Sequence, residues 1–206
     1  MPLQMGIHFD RKEFMKIIAD LKSKFNFTSI LETGTHKGDG TSQILATTRL
    51  PVITIECNKT HYDEAVKNLS VYKNVTCLHG YSLIKKDMDE FIRKDNYQYP
   101  PDILKDSKKP VEFYSAEIKH GKLPENLLPN NILANQLIFL DSAGGVGLLE
   151  FKAVLATPIR PICLLMDDVF HVKHHRSLEQ LKINHYQWGI SSRWGWAQLP
   201  IYKIFL

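Results

Sequence analysis

The sequence predicts an α/β fold: a mostly parallel sheet covered by helices on both faces and closed by a C-terminal antiparallel hairpin. Three observations predict it. Short apolar runs, Thr28 to Leu31, Val52 to Ile55, Val75 to Leu78, Gln136 to Leu140 and Ile162 to Met166, alternate with stretches of helical spacing. A glycine-rich turn follows the first run. The tail, Tyr186 to Leu206, is aromatic and β-branched and is broken by Ser191-Ser192 and Gly195, as a hairpin would be. Apolar strands separated by helices imply a parallel sheet buried on both faces.

The elements follow in order. Asp10 to Glu13 forms a D-x-x-E capping box, and Phe14, Ile17, Ile18 and Leu21 recur at helical spacing after it. The first strand leads to a helix over Thr41 to Thr48. Asn58 caps the next helix, whose inner face is predicted as Tyr62, Ala65, Val66 and Leu69. After the third strand, Ser82 to Arg93 places Met88, Phe91 and Ile92 inward. The rhythm then stops. Asn96 to Asn131 carries five prolines and many charges without periodicity, which reads as a lid-like insertion into one domain spanning residues 1–206. It resumes with the fourth strand, a helix over Gly145 to Ala156, the fifth strand, and a helix over His174 to Lys182.

Composition bounds the function classes. The chain has 206 residues, 44% of them hydrophobic and 23% charged, enough for a sizeable core. A formal net charge of +4 does not call for a nucleic-acid partner, and the short basic groups Lys85-Lys86 and Lys108-Lys109 sit beside acids. Cys57, Cys77 and Cys163 form no CxxC pair and lie in or beside apolar runs, which favours a reducing compartment over a disulfide framework. No apolar run approaches a membrane span, and Met1 to Asp10 does not resemble a signal peptide. The expectation is a cytoplasmic protein acting on a small molecule, without membrane or nucleic acid, and with a homo-oligomer left open.

In open α/β sheets, ligands bind beyond the carboxyl ends of the strands. Those ends carry Glu32, Glu56, Asp141, Asp167 and Asp168. The first turn reads Glu32-Thr33-Gly34-Thr35-His36-Lys37-Gly38-Asp39-Gly40. Gly34 suits the positive φ of a sharp turn, while Gly38 and Gly40 would admit a ligand or a closely packed helix. Glu56 stands at the end of the second strand, where a carboxylate can accept hydrogen bonds from both hydroxyls of a ribose.

The pattern E-x-G-x-x-x-G-x-G after a first strand resembles motif I of class I S-adenosylmethionine-dependent methyltransferases, which implies a Rossmann-like methyltransferase fold. By that resemblance Glu56 holds the adenosyl ribose and Thr35 lies in the cofactor turn. Glu32 faces the ammonium and sulfonium of S-adenosylmethionine. Gly80, Tyr81 and Ser82 lie against the adenine, although Ser82 also fits a plain helix cap. The rival is a short-chain dehydrogenase. Thr33-Gly34-x-x-x-Gly38-x-Gly40 matches its T-G-x-x-x-G-x-G, and Tyr81-x-x-x-Lys85 mimics its Y-x-x-x-K pair. Against it, Tyr81 follows the third strand rather than the fifth, and Glu32 would set a negative charge near a pyrophosphate.

Asp141 ends the fourth strand, and Asp167 and Asp168 end the fifth. Unpaired, three converging carboxylates would repel one another, and a hard divalent cation such as Mg²⁺ would relieve this. The arrangement resembles the metal-dependent O-methyltransferases of the catechol type and of the sugar type found in polyketide pathways. Asp167-Asp168 and the tail Gly195-Trp196-Ala197 stand nearer the sugar type. The resemblance covers roughly Ile30 to Leu83 and Gln136 to Phe205 and skips the insertion. It departs at Asp141-Ser142-Ala143-Gly144-Gly145, which offers little chemistry where many relatives carry a histidine or a second acid. The alternative is that Asp141 bonds the methionine portion of the cofactor while Asp167 and Asp168 cap the following segment.

His171-Val172-Lys173-His174-His175-Arg176 comes next. His171 is the leading candidate for a base on an acceptor hydroxyl, with Asp141 as the other catalytic candidate. His174 and His175 are adjacent and cannot share a helix face, which argues against a zinc pair. The implied activity is O-methylation of a small-molecule or sugar hydroxyl, with Phe113 and Tyr114 of the insertion as walls of the acceptor pocket. A non-catalytic cofactor-binding subunit is the reading from a different class.

Overall fold

The computed structural model describes residues 10–104, 120–142, 145–159, 161–183 and 187–199. The elements in chain order are α1 (Arg11–Phe25), β1 (Ser29–Thr33), α2 (Thr41–Thr47), β2 (Val52–Glu56), α3 (Lys59–Leu69), β3 (Val75–His79), α4 (Lys85–Lys94), α5 (Pro101–Leu104), α6 (Leu127–Asn130), β4 (Gln136–Leu140), α7 (Val146–Ala156), β5 (Cys163–Met166), α8 (His175–Ile183), β6 (Gln187–Ser191) and β7 (Trp194–Gln198).

Two helix starts follow directly from their caps. The Asp10 carboxylate accepts from the backbone N–H groups of Lys12 and Glu13, and the Asn58 side chain accepts from those of Thr60 and His61. Helix α4 begins later than predicted, at Lys85, and its cap position Ile84 makes no side-chain bond, so Ser82 is not the cap. On α3, Ala65 and Leu69 are buried, whereas Val66 is 42% exposed and belongs to the outer face.

Seven strands form one sheet in the order β3-β2-β1-β4-β5-β7-β6. Strands β1 to β5 pair in parallel, and β7 runs antiparallel between β5 and β6. The hairpin is thus inserted backwards, with its second strand against β5. The strand side chains alternate between two cores. Leu31, Ile55, Ile138, Leu140, Leu164 and Met166 pack on the face covered by α4, α6, α7 and α8. Ile30, Val52, Leu137, Phe139, Cys163 and Leu165 pack on the other face, with α1 and α2.

Register carries the strand ends to one edge. Thr33 stands opposite Ile55 and Leu140, Glu56 opposite His79, and Leu140 opposite Met166. Part of the insertion, residues 105–119 with Phe113 and Tyr114, lies outside the described residues. Its later part, 120–131, packs over the β3 end. No helix among the described residues is long and apolar enough to cross a membrane.

Candidate functional site

The turn after β1 is held from behind. Gly34 has φ +82°, and a Cβ there would lie 2.5 Å from the Asp141 carbonyl oxygen, so the β1 turn and the β4 end abut through this residue. Gly38, at φ +71°, is needed for packing: a Cβ would press on Leu69 and Ala65 of α3. Gly40 has open space above it and caps α2. Of the two glycines predicted to admit a ligand or a close helix, Gly38 serves the helix and Gly40 leaves the backbone approachable.

Two residues predicted to face the cofactor point inward. Glu32 is fully buried, and its oxygens accept from the hydroxyls of Thr41, Ser42 and Thr54. Burial pushes its carboxyl above the ordinary range, against those three hydrogen bonds. It braces the turn to α2 and β2 and does not face a ligand cation. Thr35 is also buried, its hydroxyl paired with that of Thr54. Both are enclosed by partners from elsewhere in the chain, Thr54 of β2 for both and the first residues of α2 for Glu32.

Glu56 is different. Its carboxylate is held at the sheet edge by the backbone N–H groups of His36 at 2.7 Å and Asn58 at 2.8 Å, one on each oxygen. Rings cluster nearby: His36 packs against His61, and Tyr62 stacks on His79.

The loop after β3 is covered. Tyr81 N–H donates to Pro124, Leu127 N–H to Tyr81, and Leu128 N–H to Ser82. The Tyr81 hydroxyl donates to the His120 carbonyl, and the ring is 2% exposed. A Cβ on Gly80 would strike the Pro124 carbonyl at 2.5 Å. The insertion therefore occupies the surface where Tyr81 and Ser82 were expected to meet an adenine. The same facts count against Tyr81 and Lys85 as a dehydrogenase pair. Burial pushes the Tyr81 phenol up to about 12, the wrong direction for a proton donor, and Lys85 lies over the ring rather than at the hydroxyl.

The three strand-end aspartates do meet, but not as unpaired charges. Lys173 Nζ lies 2.5 Å from Asp141, 3.4 Å from Asp167 and 3.5 Å from Asp168. Arg193, in the β6–β7 turn, forms a fork on Asp167 at 2.8 and 2.7 Å and reaches Asp168 at 2.6 Å. Asp168 has φ +52°, a left-handed kink that Asp tolerates and that turns consecutive carboxylates toward the same cations. The premise of the Mg²⁺ expectation was uncompensated repulsion, and Lys173 and Arg193 remove it. Among the described residues no group of His, Cys, Asp and Glu side chains is arranged to hold a metal ion. The set Asp141, Asp167 and Asp168 does not fit a divalent cation in this arrangement.

Burial holds the His171 imidazole below its ordinary pKa, with Asp168 opposing and Lys173 and Arg193 assisting. His174 is fully buried, with Nδ1 3.3 Å from the Ser177 hydroxyl, and burial lowers it to about 3. The sign of its pH effect follows. The unfolded chain binds a proton near 6.5 that the folded chain refuses, so stability is full above pH 6.5 and falls as pH drops toward 3. Thermal melts across that range should show this loss, and His174→Leu should flatten it; an unchanged slope would place the acid sensitivity elsewhere.

Sequence reading missed Lys173, Arg193 and Glu150. Lys173 lies within a histidine-rich run, and Arg193 lies in the hairpin turn with no local pattern to mark it. Glu150 is fully buried on α7 and accepts from Thr33 at 3.0 Å and Ser142 at 2.8 Å, joining the β1 end to the loop after β4. Its signal was present, since it shares a helix face with Val146 and Val154 at i,i+4 spacing.

No family model and no curated protein sequence matches the chain. Solved structures do. A Staphylococcus aureus protein assigned to the caffeoyl-CoA O-methyltransferases is similar over 95% of this chain and 86% of its own, with 18% identity and TM-score 0.56. The O-methyltransferase TomG of Streptomyces achromogenes, solved with S-adenosylmethionine, covers 98% and 84%, with 15% identity and TM-score 0.53. An O-methyltransferase of Bacillus cereus, solved with S-adenosylhomocysteine, covers 95% and 84%, with 16% identity and TM-score 0.52. The chain has the class I methyltransferase fold. In this fold the edge carrying Gly34, Glu56, Asp141 and Asp167 is the carboxyl-end edge of the parallel strands, where open α/β sheets place their ligands.

Proposed function

We propose that the protein is an S-adenosylmethionine-dependent O-methyltransferase acting on a small-molecule hydroxyl. The observation that carries this reading is Glu56, fixed by two backbone donors at the carboxyl end of β2, beside a turn whose Gly34 has positive φ and whose Gly40 backbone stands open. Bound there, S-adenosylmethionine would supply an electrophilic methyl group.

Glu56 would accept the ribose hydroxyls, and the turn backbone from Gly34 to Gly40 would lie along the ligand. Asp141, held by Lys173 next to Gly34, would meet the methionine end. His171, whose imidazole burial holds below its ordinary pKa, would take the proton of the acceptor hydroxyl. The chain's main contribution is to hold nucleophile and methyl donor in line, which can supply about 7 kcal/mol or more when the geometry is good.

Calorimetry tests the reading. S-adenosylmethionine and S-adenosylhomocysteine should bind and NADH should not. Glu56→Ala should weaken both adenosyl ligands by about 1.5–3 kcal/mol, the scale for hydrogen bonds to a charged group. Binding of NADH in place of the adenosyl ligands would defeat the reading.

A further inference from the structure

We infer that Lys173 is a built-in cation standing where a divalent metal would otherwise bridge the strand-end carboxylates, so that the site works on the chain's own charges. The charge arrangement is independent of the reaction; only its use in methyl transfer rests on the function proposed above.

The ε-ammonium sits among Asp141, Asp167 and Asp168, with the lysine side chain 10% exposed. Burial alone would strip its proton, but the three carboxylates outweigh burial and raise the lysine above its ordinary value. Arg193 covers the other sides of Asp167 and Asp168. Three acidic groups thus face two cations, and even so burial, with Asp167 assisting, pushes the Asp141 carboxyl well above the ordinary range against the pull of Lys173. A dication added to this set would meet at most one net negative charge and lie within a few ångströms of an ammonium. Lys173 and a divalent metal therefore exclude each other.

The backbone keeps Lys173 in place. The kink at Asp168 is followed by hydrogen bonds from His171 N–H to Asp168 and from His174 and His175 N–H to His171. The Lys173 carbonyl abuts Gly147 of α7, where a Cβ would lie 2.6 Å away, and the neighbouring His174 is buried against the same helix. The chemical consequence concerns the acceptor. With the three carboxylates paired to Lys173 and Arg193, it need not be a chelating diol.

The test uses the electron paramagnetic resonance signal of free Mn²⁺ mixed with the full chain. Wild type should leave that signal unchanged. Lys173→Ala and Lys173→Met should deplete it, and adding Asp168→Asn to either should restore it. Wild type that binds Mn²⁺ through Asp168 overturns the inference. So do folded Lys173 variants that bind none, since the lysine would then be an ordinary ion-pair partner. If the variants purify unfolded, refolding in Mn²⁺ but not in Na⁺ supports the inference, and failure in both overturns it. S-adenosylhomocysteine binding to wild type in the same samples reports separately on the methyltransferase reading.

Discussion

Replacing Gly34 by valine is expected to destabilise the chain by about 3–5 kcal/mol and to abolish binding of S-adenosylhomocysteine. Two costs add. At φ +82° an L-residue is forced into the left-handed region, at about 1–2 kcal/mol, and more for a β-branched one. The new Cβ would also stand 2.5 Å from the Asp141 carbonyl oxygen and 3.0 Å from the Ser142 nitrogen, where overpacking adds about 1–3 kcal/mol. Both neighbours are backbone, which cannot rotate away. The β1 turn and the β4 end would separate, moving the Glu56 and Asp141 sides of the site apart. Gly34→Ala should fall between wild type and valine, because it has the clash without the branching. Chemical denaturation and calorimetry read both effects, and a valine variant with unchanged midpoint and affinity would show that the turn does not need this contact.

Arg193→Ala is expected to cost about 3–5 kcal/mol, the scale for removing one partner of a buried ion pair. Asp167 is 5% exposed and takes two short hydrogen bonds from this guanidinium, with Lys173 farther off at 3.4 Å and Asp141 beside it. Lys173 and then Arg193 keep Asp167 below the ordinary carboxylate range, against burial. Arg193→Lys should recover only part of the loss, because an ammonium keeps the charge but not the planar fork. Equal stability of the lysine variant and wild type would show that charge alone matters. Because Val169 N–H donates to the Arg193 carbonyl, the backbone link between the β5 end and the hairpin survives both substitutions.

What the sequence determined by itself is the scaffold and its ligand-facing edge. Strand and helix periods are local, and apolar residues at spacing 2 or 3.6 must be buried wherever the chain goes. The five parallel strands, the caps at Asp10 and Asn58, and the turn at Gly34 were legible for that reason. So was the convergence of Glu56, Asp141, Asp167 and Asp168, since parallel strands of one sheet end on the same side. Side-chain partnership was not legible. Whether a strand-end acid looks outward depends on how far along the sheet it stands and what closes over it: Glu32 is level with Thr54, two residues short of Glu56, and is enclosed by Thr41 and Ser42. Whether Tyr81 is open depends on residues 120–128, some forty positions away, folding across it. The charge of the aspartate cluster was settled by Lys173, six residues beyond Asp167, and by Arg193, twenty-six beyond. Coulomb interactions act through space, so a carboxylate's counter-charge is known only once the fold has chosen its neighbours.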